Sequence, residues 1–302
     1  MTIAVFGSIN IDVTAYSKRL PMPGETMHGD SYVLGLGGKG ANQAAAVAKL
    51  GAPLTFIGRT GGDAFGVLAR AELARHGVPT DHVASDADAG TGIAIIAVDA
   101  AAQNCITVIA GANYNVGTDD IATLKAMPRP TVLLLQLEVP LAANIAAAQF
   151  GAAGGKVILD PAPVPNVRLP HELLRHVSII TPNEVECEAL TGLRPRGTAD
   201  AAQAARALQA LGAASAVIKM GVQGAFWRDS AGEGHVPRFA VDAIDTVAAG
   251  DCFNGGLAVA LAAGKPLGEA VRFASACGAL ATTKRGAAAA APTLTEVERL
   301  LG

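Results

Sequence analysis

Two glycine-containing segments of the chain, each followed by an alanine-rich run, could bind ligands. The second segment reads Asp-Thr-Val-Ala-Ala-Gly-Asp over residues 245–251. The apolar run after it predicts a helix, so the backbone N–H groups of Ala248, Ala249 and Gly250 would lie unpaired at the positive end of the helix dipole. A carboxylate beside such a pocket suits a base that takes a proton from a hydroxyl attacking a phosphate. This pattern makes Asp251 the predicted catalytic base, with a helix-capping role as the alternative.

The first glycine-rich segment, residues 35–43, precedes another predicted helix. A Walker A loop would need Ser or Thr after the lysine, where the chain has Gly40, and a glycine at the position of Val33. The segment does fit the dinucleotide pattern GxGxxG, but the next predicted strand, residues 54–57, does not end in the expected acidic residue. A Walker-type loop and an oxidoreductase are therefore disfavoured. Binding of a second ligand and close glycine packing beside a solvated Lys39 are both open.

The rest of the chain predicts an α/β fold. Short β-branched runs alternate with alanine-rich helical patterns, which is typical of a mostly parallel sheet covered by helices on both faces. The predicted strands are residues 3–6, 54–57, 132–135, 157–159, 178–180 and 216–218. Two regions, at about residues 12–36 and 90–110, break this alternation and read as strand-turn-strand without helices, with strands at 91–98 and 105–109 in the second region. They predict a small separate sheet, whose exposed edge invites pairing with another chain.

Composition excludes several classes of partner. The 302 residues carry a net charge of −3 from 23 basic and 26 acidic side chains, without a basic block, which argues against nucleic acid binding. Proline, asparagine, glutamine and glycine interrupt the apolar stretches, and the N-terminus lacks a charged region before an apolar one, so neither a membrane span nor export is expected. The cysteines are widely separated and lack metal spacing, which favours reduced thiols in a cytoplasmic protein. They are Cys105, Cys187, Cys252 and Cys277.

The two glycine segments also resemble the two signatures of the PfkB, or ribokinase-like, carbohydrate kinase family. Further motifs of this family occur in the same order at residues 7–12, 23–26, 111–113, 136–138, 181–184 and 284–287. The match runs nearly from end to end, and dispersed motifs in the right order are more specific than any one of them. The resemblance implies a single ribokinase-like domain over residues 1–302, with a three-layer α/β/α core and the small sheet as a lid. In this family two lids can pair to form a homodimer.

The same resemblance implies a kinase that transfers the γ-phosphate of ATP to the primary hydroxyl of a pentose, with D-ribose favoured. Another PfkB substrate, such as 2-deoxyribose, fructose, a keto-deoxy sugar acid or a nucleoside, is the first alternative. A non-catalytic sugar sensor on the same fold is the alternative from another class, and the presence of Asp251 with both glycine segments argues against it. Mg2+ is expected because the charge on the β- and γ-phosphates must be neutralised during transfer.

Residue roles follow from the resemblance position by position. Asn10 and Asp12 come after the first predicted strand, and an amide and a carboxylate at a strand end suit sugar hydroxyls; for Asp12 a turn or cap is the alternative. The resemblance implies that the sugar is held by Asn10, Asp12, Gly38, Lys39, Gly40, Asn42, Glu138 and Asp251. It makes Ala248, Ala249 and Gly250 the anion hole. The implied nucleotide-binding residues are Asn183, Lys219, Gly221, Gly224, Gly250 and Ser275.

The resemblance also implies cation positions, and the chain departs from the family pattern at three positions. Glu186 forms an Asn-x-x-Glu pattern with Asn183 that the family uses near Mg2+, and a solvated helix carboxylate is the alternative. The family also binds a monovalent cation, K+, and the matching positions are Asp245, Val247, Ala281, Lys284, Gly286 and Ala290. Most would offer backbone carbonyls, but Ala290 lacks the hydroxyl often found there. Lys219 replaces a usual threonine, and Ala248 replaces the first glycine of the second signature.

Overall fold

The computed structural model describes residues 2–101 and 103–302 and contains two sheets surrounded by helices. The strands of the large sheet are β1 (Ile3–Phe6), β4 (Leu54–Gly61), β5 (Val83–Asp86), β8 (Val132–Gln136), β9 (Lys156–Asp160), β10 (Ile179–Ile180), β11 (Ser215–Lys219), β12 (Ala225–Arg228) and β13 (Glu233–Val236). The strands of the small sheet are β2 (Asn10–Tyr16), β3 (Ser31–Gly37), β6 (Gly92–Val98) and β7 (Asn104–Ile109). The helices are α1 (Lys39–Lys49), α2 (Ala64–Arg75), α3 (Thr118–Ala126), α4 (Leu141–Ala152), α5 (His171–Leu174), α6 (Glu184–Thr191), α7 (Thr198–Ala210), α8 (Ala249–Ala262), α9 (Leu267–Ala281) and α10 (Leu294–Leu301).

The large sheet is mostly parallel, as predicted. Its strand order is β13-β12-β11-β10-β9-β8-β1-β4-β5. Neighbours from β11 to β5 pair in parallel, whereas β12 and β13 extend one edge as an antiparallel hairpin. The hairpin and β5 were not predicted, because these short edge strands mix polar and apolar residues instead of forming an apolar run, as Glu-Gly-His-Val in β13 illustrates.

Helices cover both faces of this sheet and form the expected three-layer α/β/α core. Side chains of β1 alternate between the two faces. Ile3 and Val5 pack in one cluster with residues of α1, α8 and α9, and Ala4 and Phe6 pack in another with residues of α3, α4 and α7. A strand buried on both faces is apolar throughout, which explains why β1 was recognisable from the sequence. Among the helices of the described ranges, none has the length and apolar character needed to cross a membrane.

The two regions predicted as strand-turn-strand form one four-stranded sheet in the order β3-β2-β6-β7. Strand β2 pairs antiparallel with β3 and parallel with β6, and it begins at Asn10, slightly before the predicted region. The predicted small separate sheet is therefore confirmed. Several large apolar side chains of this sheet are exposed: Tyr16, Tyr32, Val33, Leu34, Ile95, Ile106, Val108 and Ile109.

Candidate active site

The predicted site residues gather at the carboxyl edge of the large sheet, where α1 and α8 also begin. Asn10 follows β1, Glu138 follows β8, and Lys219 is the last residue of β11. A cavity of about 520 Å3 opens at this edge. Its lining includes Lys39, Asn183, Glu186, Lys219, Gly221, Gly224, Ala248, Ala249, Gly250, Asp251 and Ser275.

Asp251 lies buried in the first turn of α8 and does not cap it. Its Oδ2 accepts a hydrogen bond from Asn42 Nδ2 at 3.0 Å, and its Oδ1 accepts one from Gln43 Nε2 at 3.2 Å. The N-cap position is Ala248, so the capping alternative for Asp251 is wrong. Burial raises the pKa of Asp251, and the ammonium of Lys39 opposes this rise. A buried carboxylate with a raised pKa is a stronger base than an exposed one.

An aspartate that the sequence analysis did not identify lies beside Asp251. Asp160 ends β9 and is 1% exposed. Its Oδ1 accepts a hydrogen bond from Lys219 Nζ at 2.9 Å, and its Oδ2 lies 3.9 Å from Lys39 Nζ. Burial alone would lower the pKa of Lys39, but the carboxylates of Asp251 and Asp160 outweigh it and raise that pKa above its ordinary value. Lys39 is thus a paired cation in the site, and the solvated alternative is wrong.

Asn10 is oriented by an asparagine whose role was also missed. The backbone N–H of Ile9 donates to Asn113 Oδ1 at 2.8 Å, and Asn113 Nδ2 donates to the Ile9 carbonyl at 3.0 Å. These bonds define which end of the Asn113 amide carries nitrogen. The same Nδ2 donates to Asn10 Oδ1 at 2.8 Å, and the NH2 group of Asn10 has no acceptor among the described residues, so it can donate to a ligand.

Two carboxylates lie on the side of the site near the small sheet. Asp12 is within β2, paired with residues of both β3 and β6, which rules out the turn or cap alternative. Burial raises the pKa of Asp12 to about 6, and the charges of Glu138 and Asp251 add to the rise. Glu138 Oε2 accepts hydrogen bonds from Ser8 Oγ at 2.5 Å and from the Lys39 backbone N–H at 2.9 Å.

The first glycine segment allows α1 to begin close to the loop after β1. Gly38 has φ +85°, and a Cβ at this position would lie 2.8 Å from the Asn10 backbone nitrogen. A Cβ on Gly40 would lie 2.6 Å from the Ser8 nitrogen. Close packing therefore explains these two glycines. It also places Lys39, between them, in contact with Glu138.

The predicted anion hole needs one correction. Ala248 adopts a left-handed backbone with φ 57°, which folds the chain back so that the Ala249 N–H donates to the Thr246 carbonyl at 3.3 Å. The prediction that Ala249 has an unpaired N–H is therefore wrong. Gly250 is the second residue of α8, where backbone N–H groups lack partners within the helix. Lys219 Nζ lies 3.5 Å from the position that a Cβ on Gly250 would take.

On the other side of the cavity, Asn183 and Glu186 bind each other. Asn183 Oδ1 accepts from the Glu186 N–H at 2.8 Å, and Glu186 Oε2 accepts from the Asn183 N–H at 2.8 Å, which makes a capping box at the start of α6. The alternative of a merely solvated Glu186 is wrong. Residue 224 must be glycine, because its φ is +88° and a Cβ there would lie 2.1 Å from the Val236 carbonyl oxygen.

The predicted monovalent cation positions lie on two segments that the fold connects. The carboxylate of Asp245 accepts hydrogen bonds from the N–H groups of Val247 and Gly286, each at 3.0 Å. Ala281 ends α9, and its carbonyl accepts from the Lys284 N–H at 3.2 Å. Ala290 is buried in a small cluster that includes Cys252, the neighbour of Asp251. The six positions therefore lie close to the start of α8.

This fold and this site define a phosphotransferase of the α/β class, with a buried carboxylate at a helix start and lysines beside it. The chain belongs to the pfkB family of carbohydrate kinases, whose family model matches residues 2–294. It is 39% identical over 302 residues to the ribokinase of Haemophilus influenzae, covering 99% of this chain and 98% of that one. It is 34% identical over 304 residues to the deoxyribokinase of Salmonella typhi, covering 100% and 99%. A solved structure of Arabidopsis thaliana ribokinase complexed with ribose and ATP has a TM-score of 0.92 at 34% identity, covering 99% of this chain and 98% of that one. The predicted family, fold and enzyme class are thereby confirmed.

Proposed function

We propose that the protein phosphorylates D-ribose at its primary hydroxyl with ATP and releases D-ribose 5-phosphate and ADP. Full-length relatives named ribokinase support the sugar, and the ribose and ATP named in the Arabidopsis structure support both ligands. The observation that carries the proposal is the position of Asp251. Its buried carboxylate lines the same cavity as Lys219 and Gly250, and its charge helps to raise the pKa of Asp12.

The sugar would bind between the small sheet and the start of α1. Asn10 offers a donor and Asp12 an acceptor to neighbouring hydroxyls. Asn42 donates to Asp251, while its own Oδ1 has no hydrogen-bond partner among the described residues and is free to accept from the sugar. The sugar subsite would also include Gly38, Lys39, Gly40 and Glu138. A buried acceptor without a partner is costly, which supports a ligand at this place.

ATP would bind in the cavity, with Lys219 and Gly250 at its phosphates. The nucleotide subsite comprises Asn183, Lys219, Gly221, Gly224, Gly250 and Ser275. The buried Ser275 hydroxyl likewise lacks a partner among the described residues. During transfer the sugar hydroxyl gives its proton to Asp251, its oxygen bonds to the γ-phosphorus, and the bond from phosphorus to the ADP oxygen breaks.

The site fits Mg2+ held mainly by phosphate oxygens and water. Glu186 is a carboxylate on the cavity wall, and no group of three His, Cys, Asp or Glu side chains within the described ranges forms a metal cage. One carboxylate with phosphates and water is a usual Mg2+ environment. When bound, Mg2+ would neutralise the charge of the phosphates. Glu186 would orient a water molecule bound to the Mg2+.

The second cation site fits K+ through main-chain oxygens. Hydrogen bonds beside α8 join the two segments that carry the six predicted positions. These positions are Asp245, Val247, Ala281, Lys284, Gly286 and Ala290. Carbonyl oxygens are suitable ligands for a hard cation. Because Ala290 supplies no hydroxyl, water would take that ligand position, and K+ would bind more weakly than in relatives with a hydroxyl. A bound cation would stabilise the loop that precedes the anion hole.

Residues 1–302 would form one domain, with the small sheet as a lid over the sugar. The exposed apolar side chains of the lid support pairing of two copies into a homodimer, because solvent-exposed apolar patches mark contact surfaces. The cytoplasm is the proposed location, supported by free cysteines, of which Cys187, Cys252 and Cys277 are buried as thiols.

Release of ADP over a panel of sugars tests the substrate. Ribose should give the highest kcat/KM, followed by 2-deoxyribose, with fructose and adenosine poorer still. The deoxyribokinase relatives make 2-deoxyribose the second candidate. A higher kcat/KM for any competitor would overturn the sugar assignment. Ribose binding by calorimetry without ADP release at saturating MgATP would instead indicate a sensor.

A further inference from the structure

The buried carboxylate of Asp160 contacts groups on both sides of the proposed transfer site. It is 1% exposed, and the side chains of Lys219 and Lys39 next to it are 15% and 29% exposed. A buried charge requires a partner, and here Lys219 Nζ donates to Oδ1 at 2.9 Å. Through this bond Asp160 fixes where the Lys219 ammonium lies, which is next to Gly250 at the start of α8.

A single amide joins Asp160 to the proposed base. Gln43 Nε2 lies 3.2 Å from Asp160 Oδ2 and 3.2 Å from Asp251 Oδ1, so it can donate one hydrogen to each carboxylate. Gln136 Nε2 donates to Gln43 Oε1 at 2.7 Å, which determines the orientation of the Gln43 amide. The carboxylates of Asp160 and Asp251 are therefore held at a fixed separation.

We propose that Asp160 is a positioning residue for phosphoryl transfer, which holds the Lys219 ammonium at the phosphates and keeps it from pairing with Asp251. This inference rests on the proposed kinase function. Lys219 Nζ lies next to Gly250, the chain neighbour of Asp251, so without Asp160 the Asp251 carboxylate is an alternative partner for this ammonium. An ion pair there would make Asp251 a weaker base and would move Lys219 away from Gly250.

Removing the Asp160 charge should also change the acidity of the base. Asp251 is faced by Lys39 from α1, Asp160 from β9 and Asp12 from β2. The negative charge of Asp160 raises the pKa of Asp251, and the Lys39 charge lowers it. Asp160→Asn keeps the size of the side chain and leaves only the charge change, so the pKa of Asp251 should fall.

The test uses Asp160→Asn, Lys219→Gln and the double variant, with Asp81→Asn as an exposed control. Asp160→Asn should lower kcat by about 10- to 100-fold, the scale expected when a reacting group is misplaced, and should raise KM for MgATP more than KM for the sugar. In a plot of kcat against pH, the acidic limb should move to lower pH, because the pKa of Asp251 should fall. The double variant should be no slower than Lys219→Gln alone, because Asp160 acts through the Lys219 ammonium.

Three results would overturn the proposal. The first is unchanged kinetics of Asp160→Asn, and the second is a loss of kcat in the double variant equal to the product of the two single losses. The third is an increase only in the Mg2+ requirement of Asp160→Asn, which would assign Asp160 to the metal. If Asp160→Asn does not fold, the double variant replaces it and must show the same shift of the acidic limb. Titration of the Asp251 carboxyl by 13C NMR needs no substrate, and an unchanged pKa in the variant would also overturn the proposal. The wild-type sugar panel tests the kinase function separately.

Discussion

Replacing Asp12 by asparagine should stabilise the free protein at pH 8 and change its stability little at pH 4. Burial, with the charges of Glu138 and Asp251, raises the pKa of Asp12 from 3.8 to about 6. A group with a raised folded-state pKa contributes stability that is fully present below its unfolded pKa and is lost as pH rises through its folded pKa. At pH 8 the ionised Asp12 therefore destabilises the fold, whereas a neutral amide does not.

The size of this effect follows from the pKa shift. A rise of about 2 pKa units corresponds to about 3 kcal/mol in the free energy of unfolding at 1.36 kcal/mol per unit. Because Asp12 is partly exposed, solvent screening reduces the expected gain for Asp12→Asn to about 1 to 2 kcal/mol at pH 8. Urea unfolding at pH 4 and pH 8 measures it, with exposed Asp81→Asn as the control. Destabilisation by Asp12→Asn at pH 8, or an equal gain in stability at both pH values, would contradict this prediction.

The same variant should lose sugar discrimination. In the wild type, 2-deoxyribose would leave part of the Asp12 carboxylate unpaired, which costs about 1.5 to 3 kcal/mol, or roughly 10- to 100-fold in kcat/KM relative to ribose. Asp12→Asn should lower kcat/KM for ribose and shrink this ratio. If the ratio of kcat/KM values stays at the wild-type value, Asp12 does not read the hydroxyl that the two sugars differ by.

The remaining predictions concern the base, the cation and the lid. Asp251→Asn should lower kcat by about 10²- to 10⁴-fold while calorimetry still detects ATP and ribose binding, because the amide keeps the shape and removes the proton acceptor. Near-normal turnover would contradict this role. KCl should accelerate the reaction at constant ionic strength, and Ala290→Ser should lower the KCl concentration needed for half-maximal rate; a flat titration would remove the K+ site. Ile106→Lys, at a position 55% exposed on β7, should convert a dimer into a monomer in sedimentation velocity, whereas Val167→Lys, at a position 64% exposed away from the lid, should not. A monomeric wild type would contradict lid pairing.

The parts of the site that could be predicted are those with a local signal. The glycine segments, the helices after them and the apolar strands each show their character within a few residues, which is why the α/β fold and Asp251 were identified. The capping box of Asn183 and Glu186 also has a local signature, an asparagine followed three residues later by a glutamate, and it was interpreted only as a possible cation site.

The parts that could not be predicted depend on contacts between distant segments. Gln43 bridges Asp160 and Asp251 from 117 and 208 positions away along the chain. Asn113 reaches Asn10 across 103 positions. Such pairs follow from the order of strands in the sheet, which periodicity does not specify. The paired Ala249 N–H was missed because Ala248 adopts a left-handed backbone, which is uncommon for a residue other than glycine.

The most direct test of the central claim is 31P NMR of the product formed from ribose and MgATP. We predict ADP and a sugar phosphate whose phosphorus couples to two methylene protons, as in ribose 5-phosphate, and almost none of this product with Asp251→Asn over the same time. A phosphorus resonance coupled to a single sugar proton, as in a 1-phosphate, or ADP and inorganic phosphate without a sugar phosphate, would contradict it.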